Sequence, residues 1–260
     1  MLSNQLVAST AEWVKSFFPE SLTRNVVYSG SIVQGWNHAE SDIDVYVIAD
    51  PFTVGANWPV RFTESYFELS EPDVPVAVNW VNGTKVDCEL WTHDQIDELS
   101  RILRPKDPKN NWELTIDESY FDTFYRLSIA RSLEPGSPCA KIFDDQAQQT
   151  VANNMARRRL DEADAYMEDT VGLLESKDFP QSAYLAHISY RKVIDALVSS
   201  RGEYQPNGKW RPRRVKKVAP ELFREYWEVE TFRNINDNYE SWTTDVLRKS
   251  KSIASRLEVA

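Results

Sequence analysis

Every strand-like pattern in this 260-residue chain lies before residue 119, and helical patterns dominate from there to the C-terminus. Strands gathered in one half and helices in the other build an α+β molecule. Arg24 to Tyr28 (RNVVY) reads as a short strand running into Gly30-Ser31, and Ile43 to Ile48 (IDVYVI) as a β-branched strand closed by Asp50-Pro51. Val76 to Val81 and Thr84 to Trp91 flank Asn82-Gly83, a dipeptide that favours the positive-φ turn of a two-residue hairpin. Pro51 to Pro75, with little periodicity, reads as an irregular excursion.

Helical spacing marks Asn4 to Phe18, ended by Pro19, and His93 to Leu103, with Thr92 as its N-cap. It returns in Tyr120 to Ser132, Ala147 to Leu174, Gln181 to Ser200, and from Pro220 to the C-terminus. A boundary between Asp107 and Asp117 is expected, giving a mixed-sheet domain over 1–112 and a helical bundle over 113–260.

Composition excludes several classes. Two cysteines, Cys88 and Cys139, are too few for a secreted disulfide framework, and neither has the spacing of a zinc site, so a reducing, cytoplasmic setting is expected. Met1 to Glu20 lacks the basic start and apolar run of a signal peptide, and no stretch approaches the roughly 18 apolar residues of a membrane span. The formal charge of −10 opposes the field that long polyanions need, which disfavours nucleic acid as the bulk partner. No P-loop, nucleophile elbow or dinucleotide-binding glycine fingerprint is present.

The run GSIVQGWNHAESDID, Gly30 to Asp44, carries the chemistry. Strand side chains alternate, so Asp42 and Asp44 project to one side while Ile43 and Val45 go to the other. Two carboxylates forced together repel unless a cation neutralises them, and two hard cations about 3.5–4 Å apart can clamp the attacking and leaving oxygens of a phosphoryl displacement. Gly30 allows close backbone approach, Ser31 adds a hydroxyl, and both, with Ser41, are candidates for nucleotide contact. A lone Asp-x-Asp or a lone Gly-Ser is common; the combination at this spacing is not.

This run resembles the DNA polymerase β-like nucleotidyltransferases, whose pattern is Gly-Ser after a first strand, about ten residues, then Asp-x-Asp on the second. Its length and ending are especially similar to aminoglycoside (streptomycin/spectinomycin-type) adenylyltransferases, which pair such a domain with a helical one. The resemblance implies an Mg²⁺-dependent enzyme, with two ions, that moves a nucleoside monophosphate from ATP or another NTP to a hydroxyl of a small-molecule acceptor. It also implies a third carboxylate on a neighbouring strand. Val86-Asp87-Cys88-Glu89-Leu90 offers Asp87 and Glu89 on one face. Either completes the triad as metal ligand or general base; Asp87, following apolar Val86, is preferred, with Asp42, Asp44 and Asp87 as the metal set. Many members carry an arginine in the turn where this chain has Ile32, Val33 and Gln34, so that phosphate contact must come from elsewhere.

Lys209, in the basic stretch ending at Lys217, is the candidate to hold the triphosphate, weighed against a solvated basic loop. The acidic residues Asp161, Glu162, Asp164, Glu168 and Asp169 read as a solvated face before a polycation pocket. Trp36 and Trp91 are placed to approach a base or acceptor, whereas Trp13, Trp227 and Trp242 read as core, and His38 as a loop histidine. Two other functions compete: a nucleotidyltransferase acting on a protein or RNA partner, and a non-catalytic nucleotide-binding module.

Overall fold

The computed structural model describes residues 4–16, 26–49, 60–62, 74–104, 117–133, 141–236 and 238–257. The chain divides into two compact units, one of Met1–Asn111 with Thr115–Asp144, the other of Trp112–Leu114 with Asp145–Ala260.

The first unit is built on a six-stranded sheet. Its elements are α1 (Asn4–Lys15), β1 (Val26–Ser29), β2 (Ile43–Ile48), β3 (Val60–Phe62), β4 (Pro75–Val81), β5 (Thr84–Trp91), α2 (His93–Leu103), α3 (Glu118–Ile129) and β6 (Arg131–Ser132). The strand order is β3-β4-β5-β2-β1-β6. β2 and β5 run parallel; the other neighbours are antiparallel.

Asn82 and Gly83 take φ of 51° and 80°, and the hairpin forms in the expected register, with Val81 opposite Thr84. Alternation then sorts the strands by face. Ile43, Val45 and Val47 of β2, Val86, Cys88 and Leu90 of β5, and Ala77 and Val81 of β4 form one core with Ala11 and Val14 of α1. The opposite face carries the polar residues. α2 begins with a capping box, in which Thr92 Oγ1 accepts from Gln95 N at 3.1 Å and Gln95 Oε1 accepts from Thr92 N at 2.8 Å.

Four expectations are corrected. The division falls at Asp144/Asp145 and not at 112/113, because α3 packs with the sheet unit: Ser29 Oγ donates to the Arg126 carbonyl at 2.5 Å. The two-residue strand β6 follows α3, where strand signals had ended; it is too short to show a period. Arg211–Val218 is a further helix. The excursion from Pro51 to Pro75 contains β3 and the start of β4, and its remainder, like Pro19 and Cys139, lies outside the described residues apart from Val74.

The second unit is helical: α4 (Asp145–Glu175), α5 (Phe179–Ser200), α6 (Arg211–Val218), α7 (Phe223–Glu230) and α8 (Tyr239–Ala254). Its core joins Ala163 and Met167 of α4, Tyr190 and Ile194 of α5, Val215, Tyr226, and Trp242 and Val246 of α8. The basic stretch is partly structural. Arg211 grips buried Asp195 through two bonds of 2.8 Å, and Arg214, also buried, reaches Asp195 at 3.2 Å and the Gln205 carbonyl at 2.6 Å. No described helix is long and apolar enough to cross a membrane.

Candidate active site

The polar face of the sheet and α3 enclose a cavity of about 530 Å³. Asp42, Asp44, Asp87 and Glu89 all line it. Asp44 on β2 stands opposite Asp87 on β5 in the parallel register, and Tyr46 stands opposite Glu89. The period-two alternation read from the sequence therefore brings the four expected carboxylates to one place.

The turn after β1 accommodates only glycine at position 30. Gly30 has a φ of +80°, and a Cβ there would lie 2.0 Å from Asp44 Oδ2, so the backbone of the turn is pressed against the carboxylate. Ser31 and Ser41 are not among the cavity's lining residues. Ser31 accepts a bond from Trp36 N through its carbonyl at 2.8 Å, and Ser41 Oγ accepts from His38 N at 2.9 Å, so each shapes the loop between β1 and β2. Lys209 belongs to the second unit, is exposed, and sets its ammonium 4.9 Å from the Trp210 ring centroid.

Among the lining residues that sequence reasoning missed are Tyr46, Lys85, Asp122 and Arg126. Arg126 Nη1 donates to Asp44 Oδ1 at 2.8 Å, while its Nε donates to Asp122 Oδ2 at 2.9 Å. Lys85 Nζ pairs with Asp87 Oδ2 at 2.5 Å. A signal for Lys85 exists in the sequence, since it shares the alternating face of Asp87 and Glu89. Asp122 and Arg126 show only the i,i+4 pairing of a helix face, and nothing local ties them to a strand more than seventy residues upstream.

Among solved structures, the chain is similar to a nucleotidyltransferase-like protein from Exiguobacterium sibiricum 255-15, at a TM-score of 0.41 and 10% identity, over 97% of this chain and 77% of that one. That likeness fixes no family. No family model and no curated protein matches the chain.

Burial and electrostatics distinguish the acids. Burial pushes the Asp44 carboxyl up to about 6, against the pull of Arg126 and with repulsion from Asp42, Asp87 and Asp122. Glu89 rises to about 7, through burial first, although Trp91 Nε1 donates to its Oε2 at 2.9 Å and Arg126 also favours its charged form. The Oδ1 of Asp87 is buried without a hydrogen-bond partner. Hard oxygen donors and an orphaned carboxylate oxygen suit a divalent cation in chemistry. In arrangement, no three acid, imidazole or thiol groups among the described residues converge as a ready-made metal site. The two central carboxylates are instead engaged by Arg126 and Lys85.

The tryptophans divide otherwise than expected. Trp36 is buried and is not among the cavity's lining residues, and Trp227, expected in the core, is exposed, whereas Trp242 is buried as expected. Trp91 does line the cavity, held by its bond to Glu89. Among the acidic residues of α4, Glu162 is paired with Lys192 at 2.6 Å and Arg159 at 2.7 Å, while Asp161, Asp164, Glu168 and Asp169 are exposed.

Proposed function

We propose that this chain is a nucleotidyltransferase that moves a nucleoside monophosphate from an NTP, with ATP as first candidate, to a hydroxyl of a small-molecule acceptor. The observation that carries the reading is the register of Asp44 opposite Asp87 on adjacent parallel strands, with Asp42 and Glu89 in the same cavity and Gly30 pressed against Asp44.

In the proposed reaction the acceptor oxygen bonds to the α-phosphorus, the bond to the bridging oxygen of the β-phosphate breaks, and pyrophosphate leaves. Asp42, Asp44 and Asp87 would hold Mg²⁺, which when bound supplies charge neutralisation at the phosphates. The position of Asp87 across from Asp44 supports it as a ligand. Glu89, with its carboxyl raised to about 7 by burial, is suited to take the acceptor's proton near neutral pH, which supports it over Asp87 as the base. Gly30 keeps the turn close to the acids.

The test is a screen with Mg²⁺, each labelled NTP and a panel of aminoglycosides, tRNA and protein, following pyrophosphate release. Release that requires a small-molecule acceptor and disappears in Asp44→Asn is the expected result. Release only with tRNA or protein moves the acceptor to a macromolecule, and nucleotide binding without release under any acceptor supports a non-catalytic module.

A further inference from the structure

Each of the two central carboxylates is already paired with a cation of the protein. Arg126 reaches Asp44 from α3 at 2.8 Å, and Lys85, two residues before Asp87 on the same strand face, holds Asp87 Oδ2. A divalent ion approaching this pair meets two resident cations: Asp87 Oδ1 is open to it, but it takes both oxygens of Asp87, or Asp44 Oδ1, only by displacing them.

We propose that Arg126 and Lys85 are exchangeable counter-cations: they occupy Asp44 and Asp87 in the free protein, and turn to the triphosphate when a divalent ion takes those carboxylates. The inference rests on the nucleotidyl-transfer reading and names the groups that bind its phosphates. Charge is conserved in the exchange, because one dication replaces two unit charges on the acids and the two released cations meet a polyanion. Geometry permits it. Arg126 stays tethered through Nε to Asp122 at 2.9 Å, so its fork can pivot within the cavity, and the Lys85 side chain is 40% exposed on a flexible stem. A guanidinium suits phosphate oxygens in paired bonds. The exchange also supplies the basic contact that Ile32, Val33 and Gln34 cannot make in the Gly30 to Gly35 turn. Metal and nucleotide then bind as a coupled pair.

The experiment measures Mn²⁺ binding to the full chain by calorimetry, alone and with α,β-methylene-ATP. For the parent, weak Mn²⁺ binding tightened about tenfold or more by the analogue is expected, within the usual range of coupling between sites. Arg126→Gln and Lys85→Gln should each bind Mn²⁺ alone more tightly than the parent and lose most of the coupling. Lys85→Gln changes a half-exposed side chain and keeps the test decisive should Arg126→Gln not fold. Parent binding of Mn²⁺ alone as tight as in the variants, or coupling retained in both, overturns the exchange while nucleotide binding keeps the transferase reading standing. Absence of Mn²⁺ and analogue binding in every form overturns both.

Discussion

Glu89 is the residue whose environment most directly sets a measurable pH dependence. Its folded pKa of about 7 lies above the ordinary 4.5, so the folded chain holds a proton that the unfolded chain has lost, and stability falls as pH rises between those values. Glu89→Gln should remove the acidic limb, centred near 7, from the pH–rate profile and lower kcat by about 10²–10⁴-fold. The same variant should melt above the parent at pH 8, with a gain on the order of 1–3 kcal/mol that shrinks toward pH 5. An acidic limb that survives in Glu89→Gln but is lost in Asp87→Asn assigns the base to Asp87. At this scale the acids were legible in pairs because strand alternation is a local rule: period two sets Asp42 with Asp44 and Asp87 with Glu89, and the expectation that the two pairs meet came from the resemblance. Arg126 was not, since its bond to Asp44 spans 82 positions and depends on how α3 meets the sheet.

Among the elements, those with strong local chemistry were readable and those held by tertiary contacts were not. Asn82-Gly83 determined a hairpin, and Thr92 with Gln95 a helix start, because turn and cap hydrogen bonds are satisfied within a few residues. The helix α6 carries an Arg-Pro start and a mean polarity that resembles a solvated loop, yet its arginines are drawn inward by Asp195. Burial alone would raise the Asp195 carboxyl, but the bonds from Arg211 and the charges of Arg211 and Arg214 hold it below its ordinary value. Removing that carboxylate strands two buried guanidinium groups. Asp195→Ala should therefore cost about 3–5 kcal/mol in urea unfolding. A midpoint within error of the parent would mean that backbone carbonyls such as those of Glu203 and Gln205 suffice to hold α6.

For the whole molecule, the sequence conveyed an α+β plan with a sheet-bearing part first and helices after, and the structure has that plan. The exact division was not legible, because α3 looks like any amphipathic helix until its contacts with β1 and β2 are known. The sheet that unites the first part also seals Cys88, fully buried on the core face of β5 between the two cavity-facing acids Asp87 and Glu89. Its thiol is pushed well above its ordinary range by burial and then by the Glu89 charge. Such a sulfur reacts only when the central strands part, which makes it a chemical clock for native-state opening. In a Cys139→Ser background, a maleimide should label Cys88 orders of magnitude more slowly than a free thiol, and a bound nucleotide analogue should slow it further. Labelling at the free-thiol rate would reveal a sheet that breathes open too readily to hold its four acids in register.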